Sequence, residues 1–134
     1  MTVALDTTAL LAVVTAGPGR ALTLDALDGD PVWAAAASAL AEALAAIDRL
    51  TDETVLRADL EDGVRRLWDH LHVVPLDTRA LERAATLARQ QPLPVAHGLH
   101  LAAAERMPAP VRFVTFDPTQ IAVALSVGFD VVSA

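Results

Sequence analysis

Acidic side chains stand at points in the sequence where they could meet at one edge of a parallel sheet. Asp6 follows the apolar run Thr2–Leu5, and Asp117 follows the apolar run Val111–Phe116. Glu42 lies in an alanine-rich segment shortly after another apolar run. Parallel α/β sheets bind ligands at the carboxyl ends of their strands, where crowded carboxylates repel unless a cation compensates them. Because Mg²⁺ and Mn²⁺ prefer such oxygen ligands, we predict a divalent-metal site suited to phosphodiester hydrolysis.

Each of these positions also has a purely structural interpretation. An Asp between a strand and a helix often only caps the helix, and Glu42 could simply face solvent. Thr8, two residues after Asp6, could be a cap or a site hydroxyl. Ser38 is a candidate N-cap that places Glu42 one turn later on the same helix face, which would turn Glu42 toward the strand ends.

Two histidines, His97 and His100, stand three residues apart on a predicted helix. This spacing could pair them on a metal ion. No third nitrogen ligand stands at a fitting distance in the sequence, so on this pattern alone we interpret both as satisfied or solvated side chains.

Length and composition indicate one α/β domain that spans residues 1–134. A chain of 134 residues can bury a core of its own, and with Cys 0 it has neither disulfides nor a thiolate zinc site. The N-terminal apolar stretch lacks a basic segment, and Asp6 interrupts it, so neither a signal peptide nor a membrane anchor fits. We therefore expect a soluble, cytoplasmic protein.

The charge balance argues against a general polyanion-binding protein. The formal net charge is -7, and every basic side chain other than histidine is an arginine. A nucleic-acid ligand would therefore need metal ions that neutralise the acids, and arginines gathered on one face. The candidates for such a face are Arg65, Arg66, Arg79, Arg83 and Arg89.

Short apolar runs alternate with helical patterns along the whole chain, which predicts a doubly wound α/β fold with a parallel sheet. The predicted strands are Thr2–Leu5, Val32–Ala36, His72–Leu76, Val111–Phe116 and Phe129–Val132. Helices are predicted from Thr7 to Val14, from Ala21 to Leu27, from Ser38 through Ile47, across Thr51–His70, from Asp77 or Thr78 to Gln90, across Val95–Arg106, and from Pro118 to Val127.

Four segments in series resemble those of the PIN-domain family, specifically the VapC-type toxins of bacterial toxin–antitoxin pairs. They are LDTTALLAVV at the start, SALAEALAA around Glu42, HGLHLAAAE around His100, and VTFDPTQIAVALSVGFDVV at the end. No single segment is specific, but the four occur in order and at the expected spacing over essentially the whole chain.

The resemblance implies a PIN-like sandwich with a central five-stranded parallel sheet flanked by helices. It also implies a metal-dependent endoribonuclease that uses Mg²⁺ or Mn²⁺, forms a homodimer and is held inactive by a cognate antitoxin. Asp6, Glu42 and Asp117 match the first acid, the second acid and the acid of the TFD segment, and are the expected metal ligands. Thr8 matches a supporting hydroxyl.

The sequence departs from the family pattern at one site position. The family's remaining acid stands three residues before the His of an Asp-x-x-His-Leu-Ala segment, where this chain has His97. An imidazole in place of a carboxylate removes one negative charge, so the affinity for metal should fall. His97 could still bind Mn²⁺ or act as an acid or base near neutral pH, and we count it among the candidate catalytic residues.

Three functional hypotheses follow. The first is an active RNA-cleaving toxin. The second is a catalytically impaired PIN-like module that binds protein or RNA, which His97 and the acidic net charge favour. The third is a phosphatase or another hydrolase on a doubly wound sheet. It ranks low because the chain has no lysine to bind phosphate.

Overall fold

A computed structural model describes all residues 1–134. The strands are β1 (Thr2–Leu5), β2 (Val32–Ala36), β3 (His72–Val74), β4 (Val111–Val114) and β5 (Asp130–Val132). The helices are α1 (Thr7–Val14), α2 (Pro18–Gly29), α3 (Ala39–Leu50), α4 (Thr54–Trp68), α5 (Thr78–Gln90), α6 (Val95–Glu105) and α7 (Pro118–Ser126).

The five strands form one parallel sheet in the order β3-β2-β1-β4-β5. The chain builds outward from β1 to β3 on one side and then returns to add β4 and β5 on the other. The predicted doubly wound α/β fold is therefore confirmed. The strand order reverses between β1 and β4, and in such sheets this point, at the carboxyl ends of the strands, is where ligands bind.

Alternate residues of the central strand β1 supply the two faces of the core, because successive side chains of a strand point to opposite sides. Val3 and Leu5 pack in a cluster with residues of α1, α2, α3 and α4. Ala4 packs on the other face with residues of α5, α6 and α7. The sheet is thus covered on both faces, as its apolar strands require.

Several element boundaries differ from the sequence prediction for local reasons. β3 ends at Val74 rather than at Leu76, since Pro75 has no N–H to continue the ladder. β4 ends at Val114, and the N–H of Phe116 donates instead to Thr8 Oγ1 at 2.8 Å. β5 begins one residue later than predicted, at Asp130.

α2 begins at Pro18, three residues before the predicted start at Ala21, and it ends at Gly29, two residues after the predicted end. Pro18 opens α2 at its first position, where the missing N–H costs nothing and the fixed φ suits a helix.

Ser38 stands at the N-cap position of α3, as predicted, but its side chain makes no capping hydrogen bond. Its backbone is already helical, at φ -71° and ψ -18°, whereas an N-cap residue is usually extended. The Ser38 hydroxyl is buried and has no hydrogen-bond partner. Glu42 nevertheless lies in the first turn of α3, as the spacing predicted.

No single helix is long and apolar enough to cross a membrane. α1 and α2 reach that length and apolarity only as a pair, and they are bent by 104° where they meet.

Close packing of α5 against α6 gives the first testable prediction. A Cβ at Gly98 would lie 2.8 Å from the backbone carbonyl oxygen of Ala84, a contact that requires one helix to move. We expect Gly98→Ala to reduce the free energy of unfolding by roughly 1–3 kcal/mol, as overpacking does. Urea denaturation followed by circular dichroism measures this change.

The control is Gly29→Ala at the end of α2, where a Cβ would lie 3.6 Å from an Arg112 nitrogen, an ordinary contact. We expect that variant to stay within about 0.5 kcal/mol of the wild type. Equal stability of the two variants would contradict the close helix contact.

Candidate functional site

Asp6 is fully buried at the carboxyl end of β1, and both of its oxygens are occupied by hydrogen bonds. Oδ1 accepts the Thr8 hydroxyl at 2.6 Å and the Ala9 N–H at 2.9 Å, so Asp6 also caps α1. Oδ2 accepts the Thr115 hydroxyl at 2.5 Å and the Gln120 side-chain amide at 2.8 Å. These donors come from α1, α7 and the end of β4, and they fix the carboxylate in one orientation.

Burial raises the pKa of the Asp6 carboxyl above its ordinary value. Hydrogen bonds from Thr115, Thr8 and the Ala9 N–H act in the opposite direction, as does the nearby His100, but they do not cancel the loss of water. The ionised carboxylate is therefore an incompletely compensated negative charge in the protein interior.

Glu42 on α3 faces His100 on α6. His100 is buried, and its Nε2 lies 2.9 Å from Glu42 Oε1 and 3.3 Å from the Thr7 hydroxyl. The neighbouring His100 is the main cause that lowers the pKa of the Glu42 carboxyl. Glu42 Oε1 is a buried carboxylate oxygen with no partner other than this imidazole, and His100 Nδ1 is unpaired.

Asp117 follows β4 and faces His97 on α6. His97 Nε2 lies 3.1 Å from Asp117 Oδ2, and its Nδ1 lies 3.0 Å from the Thr119 hydroxyl. That hydroxyl already donates to Asp117 Oδ1 at 2.8 Å, so it must accept from His97 Nδ1. The Thr119 N–H also donates to Asp117 Oδ1, which caps α7.

The sequence-predicted acids thus lie along one edge of the sheet, but each has its own partners. Thr115 links two of them, because its hydroxyl donates to Asp6 and accepts the Asp117 N–H at 3.1 Å. Glu42 and Asp117 are each held by a histidine of α6. No group of three or more histidine, aspartate and glutamate side chains is arranged to hold a metal ion.

The donor types nevertheless fit a hard divalent cation. Glu42 Oε1 is a buried oxygen without a hydrogen bond, and Asp6 is a buried charge that a cation would compensate. In the observed arrangement, His97 and His100 stand against the carboxylates that a cation would need. Histidine contact and metal binding therefore compete at Glu42 and Asp117.

Sequence reasoning missed several residues of this site. Thr115 and Gln120 bind Asp6, and Thr119 connects His97 to Asp117. The sequence predicts no partner for His100, and the structure sets it against Glu42 and the Thr7 hydroxyl. The available signal was positional: Gln120 and Thr119 lie in the first turn of the helix that Asp117 caps.

Comparison with known proteins identifies the fold. The sequence matches the PIN domain family over residues 3–133. No curated protein matches the sequence significantly.

Similar solved structures share the fold at low identity. One is a toxin–antitoxin complex from Klebsiella pneumoniae, with 16% identity, a TM-score of 0.70, and coverage of 98% of this chain and 96% of that chain. Another is FitAcB from Neisseria gonorrhoeae, with 17% identity, a TM-score of 0.72, and coverage of 99% and 96%. A third is VapBC-5 from Mycobacterium tuberculosis, with 21% identity, a TM-score of 0.64, and coverage of 98% and 96%. Together with the match along the sequence, these likenesses lead to one conclusion: the chain belongs to the PIN-domain family.

Proposed function

We propose that this chain is the toxin of a toxin–antitoxin pair and an endoribonuclease that hydrolyses RNA phosphodiester bonds in the cytoplasm. The observation that carries the proposal is the row of Asp6, Glu42 and Asp117 along the carboxyl edge of a PIN-domain sheet, beside its topological switch point. The structural neighbours are toxin–antitoxin complexes, which supports an antitoxin partner. The homodimer implied by the sequence resemblance remains part of the proposal.

PIN nuclease domains generally use divalent metal ions, and we propose Mg²⁺ or Mn²⁺ here, held by Asp6, Glu42 and Asp117. When bound, such an ion supplies an activated water and compensates the charge that develops on the phosphate.

The protein's own residues divide the remaining work. Asp6 is held by four hydrogen-bond donors and forms the buried part of the site. Glu42 and Asp117 reach the surface, with side chains that are 34% and 19% exposed. Thr8 orients Asp6 and also ties down the chain after β4 through the Phe116 N–H. His97, at the surface beside Asp117, is placed to hold or give a proton to an oxygen of the substrate.

A second candidate function is a non-catalytic PIN module that binds protein or RNA. It is favoured by one observation, the occupation of Glu42 and Asp117 by histidines in place of a ready three-ligand metal site. The third sequence hypothesis, a phosphatase, gains no support from the structure, because no arginine lies within 4.0 Å of Asp6, Glu42 or Asp117 to bind a phosphate there.

RNA cleavage tests the proposed activity. We expect the purified chain to cut a long single-stranded RNA when Mn²⁺ or Mg²⁺ is added and not in EDTA, with denaturing gels as the readout. Asp117→Asn should slow cleavage roughly 100-fold or more, because it removes a proposed carboxylate ligand of the metal ion that activates the water. Asp52→Asn, in an exposed loop, is the matched control and should cut at the wild-type rate. Metal-dependent cleavage that is equal in the two variants would refute the assigned site.

His97→Asp distinguishes an enzyme with weakened metal binding from a binding module. The change restores a fourth acid and removes the group that competes for Asp117, so we expect Mn²⁺ to bind at least roughly tenfold more tightly, by calorimetry, and RNA cleavage to speed up. His72→Asp, an exposed change of the same charge in β3, controls for net charge and should gain neither. If His97→Asp gains no metal affinity and no cleavage, the binding module is the better description.

A further inference from the structure

A cavity separate from the acids lies between α5 and α6. Its volume is about 440 Å³, and its floor includes the buried side chains of Ala80 and Ala102. The rest of its lining is charged: Arg79, Arg83, Glu105 and Arg106. Small apolar residues at the bottom and guanidinium groups at the rim leave room for a compact anion.

Ion pairs hold two of the three guanidinium groups in place. Arg83 binds Glu105 with two hydrogen bonds, of 2.8 and 3.1 Å. Arg106 Nη1 binds Asp77 Oδ1 at 2.8 Å, and that oxygen also caps α5. The pairs fix these side chains at the cavity without using all their donors, since a guanidinium has five N–H groups.

Arg79 is different, because no carboxylate lies within 4.0 Å of it. It is an exposed side chain on the first turn of α5. Its charge is therefore available to an incoming anion.

The cavity is positive in a chain that is strongly negative. Its lining holds three of the ten basic side chains and one of the seventeen acids, and Asp77, which pairs with Arg106, adds a second acid. The group therefore carries a net charge of +1 in a chain whose formal net charge is -7. A local surplus of this kind attracts an anionic group that the overall charge would repel. Arg79 and Arg83 are also among the arginines that the sequence analysis named as candidates for a face that binds nucleic acid.

α6 connects the cavity to the acids, because it contributes residues to both. His100 of α6 contacts Glu42, and Arg106 follows the last residue of the same helix, six positions later. At 1.5 Å per residue, these positions are about 9 Å apart along the helix axis. Consecutive phosphates of one strand advance by about 3.4 Å along a duplex, so a strand at the acids reaches the cavity within a few nucleotides.

We propose that the arginine cavity binds a backbone phosphate of the RNA strand, a few nucleotides from the phosphodiester held at the acids. The inference rests on the proposed ribonuclease function. Planar guanidinium groups recognise phosphate oxygens with paired hydrogen bonds, and two of the three here are already oriented by ion pairs. A metal ion held by the acids would position the cleaved phosphodiester, and the cavity fixes the position of a phosphate a few nucleotides away on the same strand.

The experiment measures binding rather than cleavage. A fluorescently labelled single-stranded oligoribonucleotide of mixed sequence is titrated with protein in EDTA, and fluorescence anisotropy is recorded at several salt concentrations. Arg79→Ala should weaken binding roughly tenfold at low salt, the effect of losing one charged hydrogen bond. The slope of log affinity against log salt should fall by about 0.7, as for one lost contact to a single strand. Arg79→Lys should keep the wild-type slope.

Arg89→Ala is the matched control. Arg89 was a sequence candidate for the arginine face, but the structure places it at the opposite end of α5 from Arg79, ten residues or about 15 Å along the helix axis. There it is exposed, lines no cavity and has no ion pair, so it is excluded from that face. The variant makes the same change of net charge and should bind RNA like the wild type. Thermal melting of each variant checks that the fold is intact.

Equal binding by Arg79→Ala and Arg89→Ala, or no RNA binding by the wild type, would overturn the inference. A labelled polyglutamate peptide is titrated in parallel, and binding of the peptide alone that depends on Arg79 would reassign the cavity to an acidic protein partner. Binding that depends on Arg79 without any cleavage in Mn²⁺ would uphold the cavity and refute the proposed enzyme.

Discussion

The arrangement of this site depends on how the chain accommodates one fully buried carboxylate. An ionised group removed from water must be paired or hydrogen-bonded, because the cost of leaving it bare exceeds that of most single interactions in a fold. Asp6 receives donors from the adjoining α1 and, more than 100 residues later, from the end of β4 and from α7, so the requirement of one side chain draws together two regions that are distant in sequence. Its raised pKa shows that these donors offset the loss of water only in part.

The same constraint organises the rest of the acidic edge. α6 sets His97 against Asp117 and His100 against Glu42, so each surface carboxylate is met by an imidazole instead of by its neighbouring acid. Such contacts limit the repulsion among three acids at one edge, and they place nitrogen atoms where a cation would need oxygen. At His97, where the family pattern has an acid, this chain therefore places an imidazole against Asp117.

The spacing of apolar residues, the helix-capping residues and the prolines were enough to predict the parallel sheet, because these signals are local. The same signals placed Asp6 and Asp117 at strand ends, although their role in binding metal remains a proposal. The contacts of Gln120 and Thr115 with Asp6 could not be predicted, since each spans more than 100 residues of sequence. Ser38 shows the opposite failure: its residue type suits an N-cap, but the chain enters α3 already helical, and the hydroxyl is left without a partner.

The most direct test of this account compares the melting temperatures of the wild type and Asp6→Asn in EDTA between pH 4 and pH 8. A carboxyl whose pKa is higher in the folded than in the unfolded chain makes the folded state bind more protons, so stability is lost as pH rises through that range. Asn has no such charge, and the Gln120 amide oxygen, which has no partner, can turn to accept its N–H. We predict that the variant melts close to the wild type at pH 4 and at least about 2 °C higher at pH 8. Added Mn²⁺ should raise the melting temperature of the wild type at pH 8 and leave that of the variant unchanged. A wild type that is the more stable at every pH, with no response to Mn²⁺, would contradict the claim that Asp6 is a buried charge awaiting a cation.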